Sequence, residues 1–515
     1  MITIPSMSNL LAGLIQNFEK VEDAAPDEIK QLLTPALSIL DRVSSEWYCW
    51  GALLEEDNAD IRETLKTIGV APPPQAAEHT ECGSLNFIQA LEENNRELKD
   101  ALVDAIETFD LPVPSTAAAD LQQIDATVLA LLRRMLHREN RVPTPPARTS
   151  STSGNLASSS LSPAELENIL VQFLQAEMPD ASGIVLSNLA PIAGGASREA
   201  WVFDVTWASS GEACSEACIF MREPVASVLV SDESATVING TRRTVAAEVR
   251  VVDAMAKAGL PVPSVLWHDP VGKWLERPFS ISGRLPGSAD AAQIQGEHAE
   301  ALLQQYVDIL TQIHELDPQQ LQLDFLGKPT AESAAREQVE QYEGNFIRQR
   351  LEAFPATTYI IRWLKKHAPC AGRISVVHGD YRLGNFLFEK DRMIAILDWE
   401  QVHIGDPVEE IAFMYWHVWS LEALCPIEDF VRRYEQAAGY QLDREALAYY
   451  RVHIEFKMLV VLFTSLKSFF ATAERQLHYG SAQTPEMIRE AQLRVIEALY
   501  QGGPTVAFDA YQKSE

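Results

Sequence analysis

The sequence predicts an α+β chain in which an all-α helical bundle precedes a two-lobed domain with a small antiparallel sheet. Three observations lead there. Residues 1–139 carry apolar side chains at three- and four-residue spacing almost throughout. Residues 140–160, NRVPTPPARTSSTSGNLASSS, are rich in Pro, Ser, Thr and Gly and hold little that can be buried. Beyond them the apolar period shortens to two, then returns to helical from about residue 289, with one β-rich island at 374–398.

Taken in order, the first domain (1–139) rests on IKQLLTPALSILDRV, ADIRETLKTIG, SLNFIQALEENNRELKDALVDAIETF and ADLQQIDATVLALLRRMLHRE, punctuated by PPP at 72–74 and LPVP at 111–114. About four or five helices in a small bundle follow from that pattern. Segment 140–160 reads as a linker. Ser162, Pro163 and Glu165 then form a helix start, with a capping box and a proline at the first helical position. IVLSNLAPIAGGASREAWVFDVTW and EACIFMREP alternate and predict two or three antiparallel strands. TVAAEVRVVDAMAKAG reads as a helix stopped by Gly259, and SVLWHD and FSISGRL as further strands. The expected lobes are 161–285, small and sheet-bearing, and 286–515, helical with a hairpin.

Composition narrows the function classes. The 515 residues include 72 acidic and 42 basic side chains, a net charge of -30. Such a chain repels nucleic acid and anionic lipid at long range, so neither is expected as a partner. The six cysteines are scattered, with no CxxC pair, and neither zinc nor a disulfide framework is expected. The N-terminus lacks a basic start and a long apolar run. The longest apolar stretch, MLVVLFTSLKSFF, is broken by Thr464, Ser465 and Lys467. A cytoplasmic protein is the expectation.

The chemistry concentrates in the island VVHGDYRLGNFLFEKDRMIAILDWE. FLF and MIAIL read as two short strands joined by a polar turn at 389–392. Asp380 and Asn385 precede the first strand, and Asp398 ends the second, so the hairpin brings them to one end. Phosphoryl transfer needs a carboxylate and an amide oxygen for a hard cation, with a second carboxylate to orient an acceptor hydroxyl. Asn385 and Asp398 suit the metal, and Asp380 suits the acceptor. The Asp380 to Asn385 spacing equals that of the protein-kinase catalytic loop, with His378 as its positioning residue. Arg382, between base and metal ligand, suits an acceptor carbonyl or phosphate as well as it suits an outward-facing loop position. A plain Asp/Gly/Asn turn is the bland reading. Asp406 with Pro407 and Glu409 reads as a helix start, and Glu400 is as well explained by exposure as by a second metal.

HGDYRLGN followed by LDWEQVHIGDPVEEIA resembles the aminoglycoside-phosphotransferase and choline-kinase superfamily, most closely the branch associated with acyl-CoA dehydrogenases. The resemblance covers about residues 165–500. It implies a bilobal, protein-kinase-like fold, ATP, Mg²⁺ and a hydroxyacyl-CoA acceptor. It also implies a phosphate-covering turn at Gly194 and Gly195, a phosphate-binding cation at Arg222 in place of the usual lysine, an ion-pair partner at Glu248, and adenine contacts near Ser282. An aminoglycoside or choline-type aminoalcohol kinase stays open, as does a non-catalytic kinase-fold scaffold. Arg336, Arg348, Arg350, Arg362, Lys365 and Lys366 form a basic group that suits either an anionic acceptor or a solvated helical face. The bundle 1–139 suits a homo-oligomer contact, a partner-docking module or a lid.

Overall fold

The computed structural model describes residues 7–24, 49–74, 85–108, 118–139, 162–192, 199–223, 237–238, 241–242, 244–294, 296–471 and 483–503, with scattered positions between 26 and 44. It divides into two compact units. One comprises Met1–Thr152, Tyr342–His367 and Glu455–Glu515; the other comprises Ser153–Gln341 and Ala368–Ile454.

In the second unit the first described element is a helix at Pro163–Glu177. Its start is the expected capping box. The Ser162 hydroxyl accepts from the Glu165 amide at 3.3 Å, and the Glu165 carboxylate accepts from the Ser162 amide at 2.8 Å. Leu166, Leu170, Phe173 and Leu174 recur every three or four residues and bury one face against the sheet. Each such side chain contributes about 1.5–3 kcal/mol by leaving water.

The sheet contains β1 (Ala181–Pro191), β2 (Glu199–Ser209), β3 (Glu212–Arg222), β6 (Val265–Asp269) and β7 (Phe279–Gly283), in the order β1-β2-β3-β7-β6. Every neighbouring pair is antiparallel. A separate ribbon pairs β4 (Val237–Ile238) with β5 (Thr241–Arg242). The β2–β3 register runs from Ser209 opposite Glu212 to Glu199 opposite Arg222. Ser210 and Gly211 both take positive φ in the connecting turn, which matches the right-handed twist of the strands. The helix Val245–Lys257 is capped by the Thr244 hydroxyl and ends where Gly259 turns to φ +82°.

The larger lobe is built around the helix Ala299–Glu315, which packs on β8 (Ser375–Val377) and β10 (Arg392–Ile396). β10 forms the expected hairpin with β9 (Phe386–Glu389). β8 pairs instead with β11 (His403–Gly405), a three-residue strand too short to show an alternating pattern. Ser288 and Phe388 exchange backbone hydrogen bonds at 3.0 Å and fasten the chain leaving β7 onto β9.

The first unit cuts the chain differently from the expected boundaries. Helices at Trp50–Thr67, Leu85–Thr108 and Ala118–Glu139 share their core with helices at Pro355–Lys366 and Gln483–Tyr500, which lie inside the expected 286–515 lobe. The reason is apolar. Ile360, Ile361 and Leu364 on one helix, and Ile488, Val495 and Ile496 on the other, are buried together with Leu98, Leu102, Leu132 and Leu136. Ion pairs follow the same faces, as Asp125 takes Arg362 at 2.7 Å and Glu497 takes Arg133 at 2.7 Å. The linker 140–160 lies outside the described residues.

Deleting residues 1–150 therefore strips one wall from this core. The truncated protein should melt at least several degrees lower than the full chain, or aggregate, when both are compared by differential scanning calorimetry. An unchanged melting transition would return residues 1–139 to independent folding.

Candidate functional site

The segment between β8 and β9 is held from beneath by one carboxylate. The chain leaves β8 at Val377 and turns through His378 and Gly379 with two amides pointing inward. Glu410, on the short helix Val408–Met414, receives both: His378 N–H at 2.6 Å and Gly379 N–H at 2.9 Å. Burial by itself raises the Glu410 carboxyl. The His314 and His378 rings and the His378 amide outweigh it and hold the group below the usual carboxylate range. His314 Nε2 stands 3.8 Å from that carboxylate, and its Nδ1 is 2.7 Å from the Tyr434 hydroxyl. Burial pushes the imidazole down, toward its neutral form. Gly379 adopts φ +82°, and a Cβ there would stand 2.3 Å from the Gln401 carbonyl oxygen, so no other residue fits.

His378 then links the two halves of the site. Its Nδ1 accepts from the Asp380 amide at 3.2 Å, which leaves Nε2 to donate to the Leu397 carbonyl at 3.0 Å. Leu397 in turn donates its amide to the Asn385 carbonyl at 2.8 Å. One imidazole thus ties the residue bearing the candidate base to the residue preceding Asp398. The ring packs on Trp399 with centroids 4.5 Å apart. Tyr306 and Tyr381 exchange hydroxyl-to-carbonyl bonds at 3.1 and 2.7 Å and close the other side.

The Asp380 carboxylate is oriented at both oxygens. Arg382 Nε donates to Oδ1 at 3.2 Å, and Asn385 Nδ2 donates to Oδ2 at 2.8 Å and to the Asp380 carbonyl at 2.8 Å. With its nitrogen committed, Asn385 presents Oδ1, which accepts from no group among the described residues. Asp398 is in left-handed conformation, φ 63° and ψ 63°, which is costly for a residue with a Cβ and recurs at functional sites. An amide oxygen and a carboxylate are hard donors of the kind that Mg²⁺ takes.

The sheet supplies the remaining candidates. Arg222 is buried at the end of β3, and its Nε donates to Glu199 Oε2 at 3.0 Å. Glu199 lies directly across the strand pair, and its Oε1 accepts from Trp201 Nε1 at 3.1 Å. Arg277 approaches the same carboxylate at 3.9 Å and donates to the Glu223 carbonyl at 2.6 Å. Glu223 caps the next helix by accepting from the Val245 amide at 2.9 Å. Glu248 lies in the first turn of that helix. Ser282 sits inside the sheet between Ile219 and Val265, and the Gly283 and Arg284 amides are spent on Ser264 and Ala217. Gly194 and Gly195 lie outside the described residues.

Glu410, His314, Glu199 and Arg277 were not singled out by the sequence. Glu410 was visible only as part of a helix start, and its contacts lie more than thirty residues away. Asp406 does serve that start, as its Oδ1 accepts from the Val408 amide at 3.0 Å. Glu409 does not complete a capping box; its carboxylate is 3.2 Å from His403 Nε2. Glu400 is buried rather than exposed. In the basic group, Arg336, Arg348, Arg362 and Lys365 are engaged by Glu340, Asn345, Asp125 and Glu343, as a paired helical face requires.

Residues 228–450 match the model of the phosphotransferase enzyme family. Among curated proteins, the chain is 32% identical over 172 residues to acyl-CoA dehydrogenase family member 10 of Mus musculus, covering 32% of this chain and 16% of that protein. It is 27% identical over 180 residues to family member 11 of Homo sapiens, covering 33% of this chain and 23% of that protein. The match therefore spans less than a quarter of either relative. Among solved structures, a putative aminoglycoside phosphotransferase from Ralstonia eutropha aligns at 23% identity and TM-score 0.45, over 62% of this chain and 98% of that one. A macrolide 2'-phosphotransferase from Brachybacterium faecium aligns at 16% identity and TM-score 0.41, over 61% and 98%. No helix among the described residues is long and apolar enough to cross a membrane.

Beneath the site, burial is the main force that raises the Asp406 carboxyl to about 7, with Glu409 adding to it against the Val408 amide. A folded pKa above the unfolded one means that the stability it contributes is complete below about pH 4 and is lost as pH rises to about 7. Asp406→Asn does not titrate. The variant should gain on the wild type between pH 4 and 7 by up to about 4 kcal/mol, read from urea denaturation at stepped pH. A stability difference that stays flat over that range would place the Asp406 carboxyl in an ordinary environment.

Proposed function

We propose that this chain, which carries a phosphotransferase-family domain over residues 228–450, transfers the terminal phosphoryl group of ATP to the hydroxyl of a small molecule, with a hydroxyacyl-CoA as the favoured acceptor. The observation that carries the reading is the joint placement of Asp380, Asn385 and Asp398 on one hydrogen-bonded loop and hairpin. A turn kept only for its shape has no need of a doubly oriented carboxylate beside an amide whose oxygen stays available.

Asp380 holds the acceptor hydroxyl in line with the terminal phosphorus. The acceptor oxygen bonds to that phosphorus as the bond to the β–γ bridging oxygen breaks. The hydroxyl proton passes to the Asp380 carboxylate, and ADP departs with the electron pair. Asn385 Oδ1 and the Asp398 carboxylate would hold Mg²⁺, which would supply positive charge against the phosphate oxygens. Arg222 is a resident cation at the end of β3, opposite the start of β2, and Glu199 keeps its guanidinium in place. The names of the curated relatives support an acyl-CoA acceptor. The net charge of -30 favours instead a cationic acceptor such as an aminoglycoside or choline, which is the second reading.

Asp380→Asn should lower kcat by about 10²–10⁴-fold with ATP affinity largely kept, since the metal ligands remain. Wild-type kcat in that variant would remove Asp380 from the base role. Asp398→Ala should weaken ATP binding only in the presence of Mg²⁺, by about tenfold or more in calorimetric titrations. Equal ATP affinity for wild type and variant across a Mg²⁺ series would move the metal site elsewhere.

A further inference from the structure

Arg382 is positioned by three independent features, and together they describe a subsite. Its Nε donates to Asp380 Oδ1 at 3.2 Å. Its guanidinium carbon lies 5.2 Å from the centre of the Trp419 ring, within cation–π range. Its Nη1 lies over Gly384, where a Cβ would approach to 2.7 Å. Trp419 is itself fixed: its Nε1 donates to the Phe413 carbonyl at 3.0 Å, and its ring packs on Phe413 at 5.0 Å and Trp416 at 4.6 Å. The Arg382 side chain remains 34% exposed, and no group among the described residues accepts from Nη1 or Nη2. A planar fork whose inner nitrogen orients the base and whose outer edge is open is arranged to receive oxygen atoms.

We propose that Trp419 and Gly384 are positioning residues that hold Arg382 as a clamp for a carbonyl or carboxylate oxygen of the acceptor, placed a few bonds from the hydroxyl that Asp380 receives. The proposal rests on the phosphotransfer reading and deepens it by naming the residues that hold Arg382 in place. A guanidinium ion-paired to the base attracts an electron-rich oxygen and repels an ammonium group. Hydroxy acids and their thioesters therefore fit this subsite, whereas choline does not. The aromatic platform restricts the guanidinium to one plane, so the clamp is formed before the acceptor arrives and less order is lost on binding.

The test uses the full-length enzyme, with 3-hydroxybutyryl-CoA and choline as probes, initial rates at varied acceptor and varied ATP, and calorimetric titration of Mg·ATP. Trp419→Leu removes the platform, Trp419→Tyr retains one, and Gly384→Ala pushes Nη1 away from its resting place. The wild type should phosphorylate the thioester in preference to choline. Trp419→Leu and Gly384→Ala should each raise the thioester KM by about tenfold while the ATP KM stays within about twofold, and Trp419→Tyr should recover most of the loss. Merely structural damage would move both KM values and would not be recovered by tyrosine; that outcome overturns the clamp. Unchanged thioester KM in both variants also overturns it, as does wild-type preference for choline. Wild-type enzyme that binds Mg·ATP but phosphorylates neither probe rules out the assigned acceptor class. Failure of the wild type to bind Mg·ATP at all would instead remove the phosphotransfer reading, and the clamp with it.

Discussion

The geometry of the site depends on one buried carboxylate. Glu410 accepts the His378 and Gly379 amides, and removing it takes the carboxylate partner from two buried donors. Leaving such groups unsatisfied costs about 1–3 kcal/mol each. Because the two amides immediately precede Asp380, the same bonds that satisfy the backbone fix where the candidate base emerges. His378 carries the constraint onward to Leu397, next to Asp398. The candidate base and the residue preceding Asp398 are thus aligned through neutral hydrogen bonds.

A second network does similar work in the sheet. Glu199, Arg222, Arg277 and Glu223 are all at least partly buried, and they gather the start of β2, the end of β3 and the segment entering β7 around the Glu199 carboxylate and the Glu223 carbonyl. Glu223 extends this network to the helix that bears Glu248. Removing one member of a buried ion pair strands its partner, so such clusters tolerate little change. Arginine suits this position because Nε and a terminal nitrogen of its rigid fork both reach Glu199.

Local features were legible in the sequence and distant ones were not. Asp380, Asn385 and Asp398 span one loop and hairpin, so their order and spacing along the chain could be read as one group. The Ser162 capping box and the stop at Gly259 were equally local. Glu410 stood in plain view within GDPVEEIA, but its role depends on a fold that returns the chain to His378. Glu199 was hidden because a strand register, and not spacing along the chain, sets it opposite Arg222. β11 was hidden because three residues carry no period. The boundaries of the helical region failed for a related reason: the apolar faces of Pro355–Lys366 and Gln483–Tyr500 were readable as faces, but the helices that cover them lie more than two hundred residues earlier. Trp419 was not singled out by the sequence, because only the fold sets its ring against the Arg382 guanidinium.

The dependence of the site on Glu410 is tested most directly by the single-turnover rate of Glu410→Gln at saturating Mg·ATP and acceptor. Glutamine offers one oxygen and places an N–H₂ against an inward amide, so the loop loses a partner while the interior keeps its volume. The account predicts a folded variant that still binds nucleotide but whose rate of phosphoryl transfer falls by about a hundredfold. A folded Glu410→Gln protein with the wild-type rate would contradict it, because the position of Asp380 would then be set by something other than this carboxylate.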